Sequence, residues 1–398
     1  MNGSPLSLKK GCESRLRSGH CWVYSNEVDT DKTPLQGMQP GQPVDIVSAS
    51  GKWLGSGYVN PHSLICARLV SRDPNHPLNG SLLVHRLKIA LGLRERLYQK
   101  PYYRLAFAES DGLPGLVVDR YGDAVVVQIT TAGMEWLKES VVAAIEKVVK
   151  PVCILLRNDA VIRESEGLVR YTEVALGDLP ERLDVAENSA HFRVAAAEGQ
   201  KTGWFFDQAF NRARIVNYVP GKRVLDLFSY VGAWGVQAAV AGASDVYCVD
   251  SSKLALDQAE LNAQLNGVTD RVAFVQGDVF DALRDLRAEQ EKFDVVMVDP
   301  PAFIKRRRDL KEGTLAYRRL NTAAMQLLSR DGILITSSCS YHMTTQSLLQ
   351  TVQQSARHLD RSLQLLEQGY QSPDHPIHPA IPETAYLKTF YLRVLPTF

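Results

Sequence analysis

The chain has 398 residues, too many for one hydrophobic core, so we expect two or three domains. Its 45 basic and 44 acidic residues nearly cancel, so any binding to a nucleic acid must rest on local patches of charge. No apolar run approaches the roughly 18 residues of a membrane span, and Met1–Gly11 lacks the apolar segment of a secretory signal. We therefore expect a cytoplasmic protein that does not associate with membranes.

The cysteines also favour the cytoplasm. None of them belongs to a C-x-x-C pair, which argues against a zinc site and against a disulfide framework, so no metal is predicted. Unpaired thiols suit a reducing compartment. The six are Cys12, Cys21, Cys66, Cys153, Cys248 and Cys339.

Residues 1–73 are predicted to form a small β-rich domain. Strands are expected at Pro43–Val47, Trp53–Val59 and Leu64–Val70. Ahead of them, Leu16–Ser25 interleaves basic with aromatic residues, a composition that suits contacts with RNA, although the same aromatics could fill the core of a small barrel. In its length and its Gly-His-x-Trp-Val-Tyr motif the segment resembles a PUA domain, an RNA-binding pseudobarrel.

Residues 74–195 are predicted to form a central α+β domain. The linker Arg72–Leu83 contains prolines and asparagines and leads into an amphipathic helix at Leu82–Tyr98. Glu109–Gly115 places two acids in a glycine-rich loop, for which we favour a turn between strands. No catalytic motif is predicted in this domain.

Residues 196–398 alternate strands with helices, which is the pattern of a parallel α/β sheet. A further strand or hairpin is expected at Ala385–Leu395. The five predicted strands of the sheet are Arg223–Leu227, Val246–Val249, one around Phe274, Val295–Val298 and Ile333–Thr336.

A glycine turn follows the first of these strands. Asp226 places a carboxylate inside an apolar strand, where burial of a charge is unfavourable unless a partner or a function compensates for it. Gly232 and Gly235 follow, but Tyr230 occupies the first glycine position of a dinucleotide fingerprint, so close approach of a pyrophosphate is not expected. The turn resembles the first motif of class I S-adenosylmethionine methyltransferases, whose cofactor carries no phosphate.

Further carboxylates follow the other strands. Asp250 ends the second strand, at the spacing from Asp226 expected of an acid that binds a ribose. Asp278 and its neighbouring N–H could bind an adenine edge, although the same residue could cap a helix. Asp299 ends the fourth strand. Because ligands of open α/β sheets lie at the carboxyl ends of strands, these acids predict a cofactor that contains a nucleoside.

The segment Asp299–Phe303, Asp-Pro-Pro-Ala-Phe, is the most specific local signal. Its prolines fix the backbone and leave carbonyls that can accept hydrogen bonds from an exocyclic amine. Phe303 offers a face on which a flipped base can stack. The basic run Lys305–Arg308 follows, and we favour a phosphate clamp for RNA over a solvated face.

Lys201–Gln208 precedes the first strand with a glycine, three aromatics and an Asp-Gln pair. The segment could lie across the cofactor, or it could begin a helix with buried aromatics.

Cys339 follows the fifth strand, among serines and beside the Asp299 turn. A free cysteine is usually a small buried hydrophobe. C5 of a pyrimidine is not nucleophilic enough for methylation unless a thiolate first adds to C6, after which a base removes the C5 proton and the thiolate leaves. We predict that Cys339 is this nucleophile.

Together these features resemble the bacterial 23S rRNA cytosine-5 methyltransferases of the large-subunit methyltransferase I family, over nearly the whole chain. The residues that carry the resemblance are Gly203, Asp207-Gln208, the Asp226–Gly235 turn, Asp299–Phe303 and Ser338-Cys339-Ser340. The resemblance implies a PUA domain, a central α+β domain and a Rossmann-like methyltransferase domain. It also implies S-adenosylmethionine as cofactor, ribosomal RNA as partner and a role in rRNA processing.

The site predicted on this basis has three groups of residues. The catalytic residues are Cys339 and Asp299. The cofactor-binding residues are Phe206, Asp207, Gln208, Asp226, Phe228, Ser229, Gly232, Asp250, Ser251, Asp278, Val279, Asp299 and Pro300. The substrate-binding residues are Pro301, Phe303, Lys305, Arg306, Arg307 and Arg308.

Two positions depart from the family pattern. Ala302 stands where the family usually has a lysine, and Ala209 where it has an arginine, so Lys305 or Arg212 is a candidate substitute. The Asp299 turn also lacks a second cysteine to assist release, which leaves Asp299 or a water to help.

Two other functions stay open. An RNA methyltransferase acting on a nitrogen of guanine or adenine would use the same Asp299-Pro300-Pro301 turn and needs no cysteine, so Cys339 argues against it. A non-catalytic RNA-binding assembly factor would not need acids at four strand ends. The modified nucleotide and the oligomeric state, monomer or homodimer, also stay open.

Overall fold

A computed structural model describes residues 3–196 and 202–397. The chain divides into two compact units. One comprises Met1–Leu183, Ala195–Trp204 and Pro373–Thr384, and the other Asp184–Val194, Phe205–Ser372 and Ala385–Phe398. The three-domain division at residues 73 and 195 stays a prediction. No helix within the described ranges is long and apolar enough to cross a membrane.

The first unit begins with a five-stranded sheet of order β1-β3-β4-β5-β2. Its elements are β1 Ser4–Ser7, α1 Glu13–Arg17, β2 Trp22–Val23, β3 Pro43–Val47, β4 Trp53–Val59 and β5 Ala67–Ser71. The last strand begins at Ala67 and not at Leu64, whose side chain is 71% exposed. Trp22 packs against the core of this sheet and donates its indole N–H to Oε1 of Glu109 at 2.9 Å, which favours a packing role for this aromatic.

The rest of the first unit packs helices on a second five-stranded sheet, of order β10-β9-β8-β7-β6. Its elements are α2 Gly80–Leu97, β6 Tyr102–Phe107, β7 Leu116–Tyr121, β8 Ala124–Ile129, α3 Ala132–Trp136, α4 Lys138–Val149, β9 Cys153–Asn158 and β10 Tyr171–Leu176. The glycine-rich loop is a turn between β6 and β7. Asp111 in this loop accepts hydrogen bonds from Nη1 and Nη2 of the buried Arg94 guanidinium, at 2.6 and 2.8 Å, so its role is structural.

The second unit is built on a seven-stranded sheet of order β15-β14-β13-β16-β17-β19-β18. Its strands are β13 Arg223–Leu227, β14 Asp245–Asp250, β15 Val272–Gln276, β16 Phe293–Val298, β17 Leu328–Ser338, β18 Arg361–Tyr370 and β19 Lys388–Pro396. The first five are parallel, and β19 runs antiparallel between β17 and β18. The order reverses beside β13, which brings the carboxyl ends of β13, β14 and β16 together.

Helices cover this sheet, and a two-stranded sheet lies before it in the chain. The two strands are β11 Arg182–Glu187 and β12 Ala190–Ala195. The helices are α5 Ala209–Ala213, α6 Gly235–Val240, α7 Lys253–Leu265, α8 Val279–Ala288, α9 Leu310–Gln326 and α10 Thr345–His358. The central strands are buried on both faces, which is why their sequences are nearly continuous apolar runs.

Candidate functional site

The turn between β13 and α6 has a strained backbone. Phe228 and Tyr230 adopt positive φ angles of 64° and 51°, and Gly232 one of 81°. Positive φ is uncommon for residues other than glycine, and residues held in such conformations cluster at functional sites. Tyr230 thus keeps the left-handed conformation although it occupies the first glycine position of the dinucleotide fingerprint.

Close packing explains Gly235. A Cβ atom there would lie 2.3 Å from Sγ of Cys248 on β14 and 3.1 Å from Oδ2 of Asp226. The backbone N–H of Gly235 donates to that Oδ2 at 2.8 Å. The carboxylate inside the apolar strand therefore has a structural reason, since it holds the first residue of α6 against β13.

The second oxygen of Asp226 has no such bond. Asp226 is 0% exposed, and its Oδ1 has no hydrogen-bond partner among the described residues. Burial raises the pKa of this carboxyl well above its ordinary value, and the negative charges of Asp299 and Asp250 add to the effect. The hydroxyl of Ser229, in the same turn, is also buried without a partner in the described structure. Unpaired buried polar atoms at a strand end suit a site for a bound polar molecule.

Asp250 ends β14 with its side chain half-buried. Its Oδ2 accepts the N–H of Tyr230 and its Oδ1 the N–H of Ser252, both at 2.9 Å. These two bonds fix the carboxylate plane, and each oxygen keeps a lone pair for another donor. Such a carboxylate fits the two hydroxyls of a ribose. Ser251 is exposed beside it.

Asp278 caps a helix. Its Oδ1 accepts the N–H of Phe280 at 2.8 Å at the start of α8, which is the cap that its position in the sequence also indicated. The side chain is exposed and Val279, the first residue of the helix, is buried. The contact of these two residues with an adenine stays a prediction.

Asp299 lies at the centre of a network of side chains. The amide of Gln208 donates to both of its oxygens at 3.0 Å, and the indole N–H of Trp234 donates to Oδ2 at 3.0 Å. Burial raises the pKa of Asp299 to about 6, with a further contribution from the charge of Asp207, while both donors act in the opposite direction. The sequence did not indicate Trp234, because an indole in a glycine turn suggests packing.

Hydrogen bonds from other side chains fix the positions of Asp207 and Gln208. The side-chain oxygen of Gln208 accepts from Nδ2 of Asn211 at 2.6 Å, which orients the amide nitrogen of Gln208 toward Asp299. Asp207 accepts the hydroxyl of Tyr386 at 2.6 Å. Phe206 beside it is buried. Lys201, in the same predicted segment, lies outside the described residues.

Cys339 lies at the end of β17, next to the Asp-Pro-Pro turn after β16. Its side chain is half-buried, and its Sγ is 4.0 Å from the carbonyl oxygen of Pro300. The sheet register pairs Thr336 of β17 with Val298 of β16. The segment with Cys339 after β17 and the Asp-Pro-Pro turn after β16 therefore lie at the same edge of the sheet. The structure thus brings the thiol and the Asp-Pro-Pro turn together, as the sequence predicts.

Two serines and a tyrosine connect these turns. Ser338 donates its hydroxyl to the phenol oxygen of Tyr317 at 2.8 Å, and the hydroxyls of Tyr317 and Ser340 are 3.1 Å apart. The N–H of Ile304 donates to the hydroxyl of Ser340 at 3.2 Å. These bonds fix the backbone on both sides of Cys339.

Phe303 is half-buried in an aromatic cluster. Its ring centroid is 4.9 Å from that of Tyr317 and 6.5 Å from that of Phe228. Pro300 is buried, whereas Pro301 is exposed. Stacking of a substrate base on Phe303 stays a prediction, and the partly exposed ring leaves room for it.

The basic run Lys305–Arg308 is exposed, so its charges are accessible to a polyanion. Arg212, a candidate substitute for the family's arginine, is instead buried, and its guanidinium donates to Glu187 at 2.6 and 2.9 Å and to the carbonyl of Phe205 at 2.8 Å. This ion pair holds α5 against β11, so of the two candidate substitutes only Lys305 is exposed.

Lys388, at the start of β19, is a functional candidate that was not predicted from the sequence. It is 5% exposed and donates to the carbonyls of Ser340 at 2.6 Å and Tyr386 at 2.7 Å. The available signal was a lysine beside a mostly apolar strand segment, Phe390–Leu392. The residues that the structure describes contain no cluster of three or more His, Cys, Asp or Glu side chains able to hold a metal.

Comparison with known proteins agrees with this architecture. Residues 170–393 match the family model of S-adenosylmethionine-dependent methyltransferases, and residues 6–72 match a PUA-like domain. A solved methyltransferase in complex with SAH superposes with a TM-score of 0.83 at 23% identity, covering 98% of this chain and 100% of that chain. At this identity the likeness concerns the fold, and it confirms the predicted α/β class.

Curated relatives match over nearly the full length. A ribosomal RNA large subunit methyltransferase I of Shigella boydii is 38% identical over 396 residues, which cover 98% of this chain and 99% of that relative. The protein of the same name from Photobacterium profundum is 39% identical over 392 residues, covering 97% and 98% of the two chains. This chain therefore belongs to the ribosomal RNA large subunit methyltransferase I family, whose members are S-adenosylmethionine-dependent methyltransferases with a PUA-like domain.

Proposed function

We propose that this protein methylates C5 of a cytosine in ribosomal RNA, in the 23S molecule, through a covalent bond between Cys339 and C6 of the base. The observation that carries the proposal is the position of the thiol. Cys339 ends β17 with its Sγ 4.0 Å from the carbonyl of Pro300, so a base held on the Asp-Pro-Pro turn would lie beside a nucleophile. A nitrogen-methylating enzyme has no use for a thiol at this position.

The chain supplies the groups that each step requires. The thiolate of Cys339 donates an electron pair to C6, and the electrons of the C5–C6 double bond make C5 nucleophilic. Once C5 carries the methyl group, a base removes its proton, the double bond forms again and the S–C6 bond breaks. S-adenosylmethionine, when it is bound, would supply the electrophilic methyl group to C5 and would leave as S-adenosylhomocysteine.

Asp299 is the proposed base, acting directly or through a water. A carboxyl with a pKa of about 6 is largely ionised at neutral pH and is still basic enough to accept a proton. The hydrogen bonds from Gln208 and Trp234 hold the carboxylate in one orientation. The same carboxylate and the Pro300 carbonyl are the acceptors that would receive an exocyclic amine.

The cofactor is assigned to the strand ends around β13. Asp250 would accept the ribose hydroxyls, and Asp278 and Val279 would contact the adenine. Ser229 and the buried oxygen of Asp226 would offer further polar groups to the cofactor. The unpaired buried atoms of Asp226 and Ser229 support this assignment. Phe206, Asp207 and Phe228 are also proposed to contact the cofactor.

RNA is assigned to the basic run and the PUA-like domain. Lys305, Arg306, Arg307 and Arg308 are exposed directly after the proposed base-binding turn, where phosphates flanking a flipped base would lie. The names of the relatives give ribosomal RNA of the large subunit as their substrate. Methylation of that RNA implies a place in rRNA processing in the cytoplasm.

The test uses 23S rRNA from cells that lack this protein, and the same RNA transcribed with 5-fluorocytidine. The wild-type protein should methylate the first RNA and form a covalent adduct with the second, because fluorine cannot leave C5 as a proton does. Cys339→Ala should bind S-adenosylmethionine and RNA but transfer no methyl group and form no adduct. Cys12→Ala, which removes the other half-buried thiol, is the matched control and should behave as wild type.

The competing functions predict different results. Methylation of a base nitrogen predicts activity in Cys339→Ala and no adduct with any protein. An assembly factor predicts binding of RNA without turnover in any variant. Nucleoside mass spectrometry of the methylated RNA identifies the position of the methyl group, and Cys339→Ser replaces Cys339→Ala if the alanine variant fails to fold.

A further inference from the structure

The ammonium group of Lys388 is buried beside the candidate nucleophile. Lys388 pairs with Ser338 across β17 and β19, one residue before Cys339. Its Nζ donates to the carbonyl oxygen of Ser340, one residue after Cys339, at 2.6 Å. The lysine thus contacts the chain on both sides of the thiol.

This cation has no anionic partner in the described structure. Its other acceptor is the carbonyl of Tyr386 at 2.7 Å, so one ammonium proton has no acceptor among residues 3–196 and 202–397. Burial lowers the pKa of Lys388 to about 8, and a negative charge on Cys339 acts in the opposite direction. A buried ammonium is unfavourable for folding unless an anion is supplied. The thiolate of Cys339 would be such an anion, because its charge acts on the pKa of Lys388.

We propose that Lys388 is the positioning residue of Cys339, whose buried ammonium fixes the backbone after the cysteine and stabilises its thiolate. This proposal rests on the function proposed above, and it adds the group that activates the nucleophile. The attraction is mutual, so Lys388 also keeps its proton when the thiolate is present.

Three further titratable groups of the described structure, on other elements, do not supply this positive charge. Tyr317 on α9 contacts Ser338 and Ser340, but burial raises the pKa of its phenol, which therefore stays neutral. Asp299, before Pro300, carries a negative charge that disfavours a thiolate. Tyr386 donates its hydroxyl to Asp207. Lys388 is thus a basic group that the described structure places against the chain on both sides of this thiol.

The test measures the rate at which iodoacetamide alkylates Cys339 between pH 5.5 and 10, by mass spectrometry of its peptide from the full-length protein. Only the thiolate reacts, so the midpoint reports its formation. In the wild type the midpoint should lie below about 8.5, the ordinary thiol value. Lys388→Met should raise it by about one pH unit or more, and Lys388→Arg should restore it. Cys12 in the same samples provides an internal reference that none of these changes should move.

The methylation assay gives a second measurement. Lys388→Met should lose most of its turnover at pH 7 and regain it as the pH rises, whereas Lys147→Met, which replaces an exposed lysine on α4, should match wild type at every pH. Two results would overturn the proposal. One is a midpoint of Cys339 alkylation at or above about 8.5 in the wild type. The other is the same alkylation midpoint in the wild type and in Lys388→Met. If Cys339→Ala remains active, the proposed function fails, yet the alkylation profiles still decide whether Lys388 controls the thiol.

Discussion

The indole nitrogen of Trp234 donates a hydrogen bond to Oδ2 of Asp299, with 3.0 Å between the two atoms. Trp234 stands at the start of α6 and Asp299 follows β16, so the bond joins the glycine turn to the Asp-Pro-Pro turn. The donors from Trp234 and Gln208 favour the ionised carboxylate, whereas burial opposes it more strongly. The pKa of Asp299, the proposed catalytic base, is therefore raised to about 6.

This balance predicts how stability depends on pH. Asp299 has a pKa of about 6 in the folded protein, above its ordinary value of 3.8. Its protonated form therefore favours folding, and this contribution is complete below about pH 4 and is lost as the pH rises through about 6. Asp299→Asn cannot ionise and so does not lose this contribution. As the pH rises from 4 to 7, the free energy of unfolding of the wild type should therefore fall by about 2 kcal/mol relative to that of the variant.

Urea denaturation at intervals of half a pH unit measures the difference. Asp281→Asn, which changes an exposed carboxylate on α8, is the control and should give a curve parallel to wild type. A difference between Asp299→Asn and wild type that stays constant from pH 4 to 7 would contradict the prediction.

Replacement by alanine should have opposite effects on stability at Gly235, which ends the glycine turn, and at Gly92, which lies in α2. Gly235→Ala would place a Cβ 2.3 Å from Sγ of Cys248, so β14 or α6 must move, and the free energy of unfolding should fall by about 2 kcal/mol or more. Gly92→Ala is the matched control, because that helical glycine has open space around its Cβ position and alanine should stabilise α2 by about 0.5–1 kcal/mol. Thermal and urea denaturation test both changes, and equal effects would refute this account of Gly235.

Much of the second unit could be predicted because strand ends share one edge of a parallel sheet. Asp226 lies within an apolar run, and Asp250, Asp299 and Cys339 follow such runs, so the fold alone brings them to one edge of the sheet. The helix-cap role of Asp278 was also readable, since an acid before an apolar helical segment is a common start. The resemblance to the large-subunit methyltransferase I family is confirmed by relatives that are 38% identical over nearly the whole chain.

The supporting hydrogen bonds could not be predicted, because they join residues far apart in the chain. Trp234 and Asp299 are 65 positions apart, and Lys388 reaches Ser340 over 48. Short-range patterns carry no information on such pairs. The glycine-rich loop shows the same limit, since a partner for Asp111 was not apparent until Arg94 was seen beside it.

The cofactor assignment predicts a specific loss of affinity at Asp250. Asp250→Ala removes the carboxylate proposed to accept both ribose hydroxyls, so binding of S-adenosylmethionine should weaken by about 2 kcal/mol, or roughly 30-fold. Isothermal titration calorimetry measures it. Asp257→Ala, an exposed acid on α7 that pairs with Lys253, should bind as wild type does. Unchanged affinity in Asp250→Ala would remove Asp250 from the site.

The basic run predicts a change in the salt dependence of RNA binding. Each phosphate that an arginine neutralises releases counterions, so the slope of log affinity against log salt should flatten by roughly 0.7 for every phosphate of a single strand that is no longer neutralised. Replacing Arg306, Arg307 and Arg308 together by glutamine should weaken binding of 23S rRNA and reduce the slope, while S-adenosylmethionine still binds. Arg284→Gln, an exposed arginine on α8 that pairs with Asp281, should leave the slope unchanged. If the triple variant keeps the wild-type slope between 50 and 300 mM salt (roughly the range in which phosphate binding dominates), the three arginines face solvent and the RNA is held elsewhere.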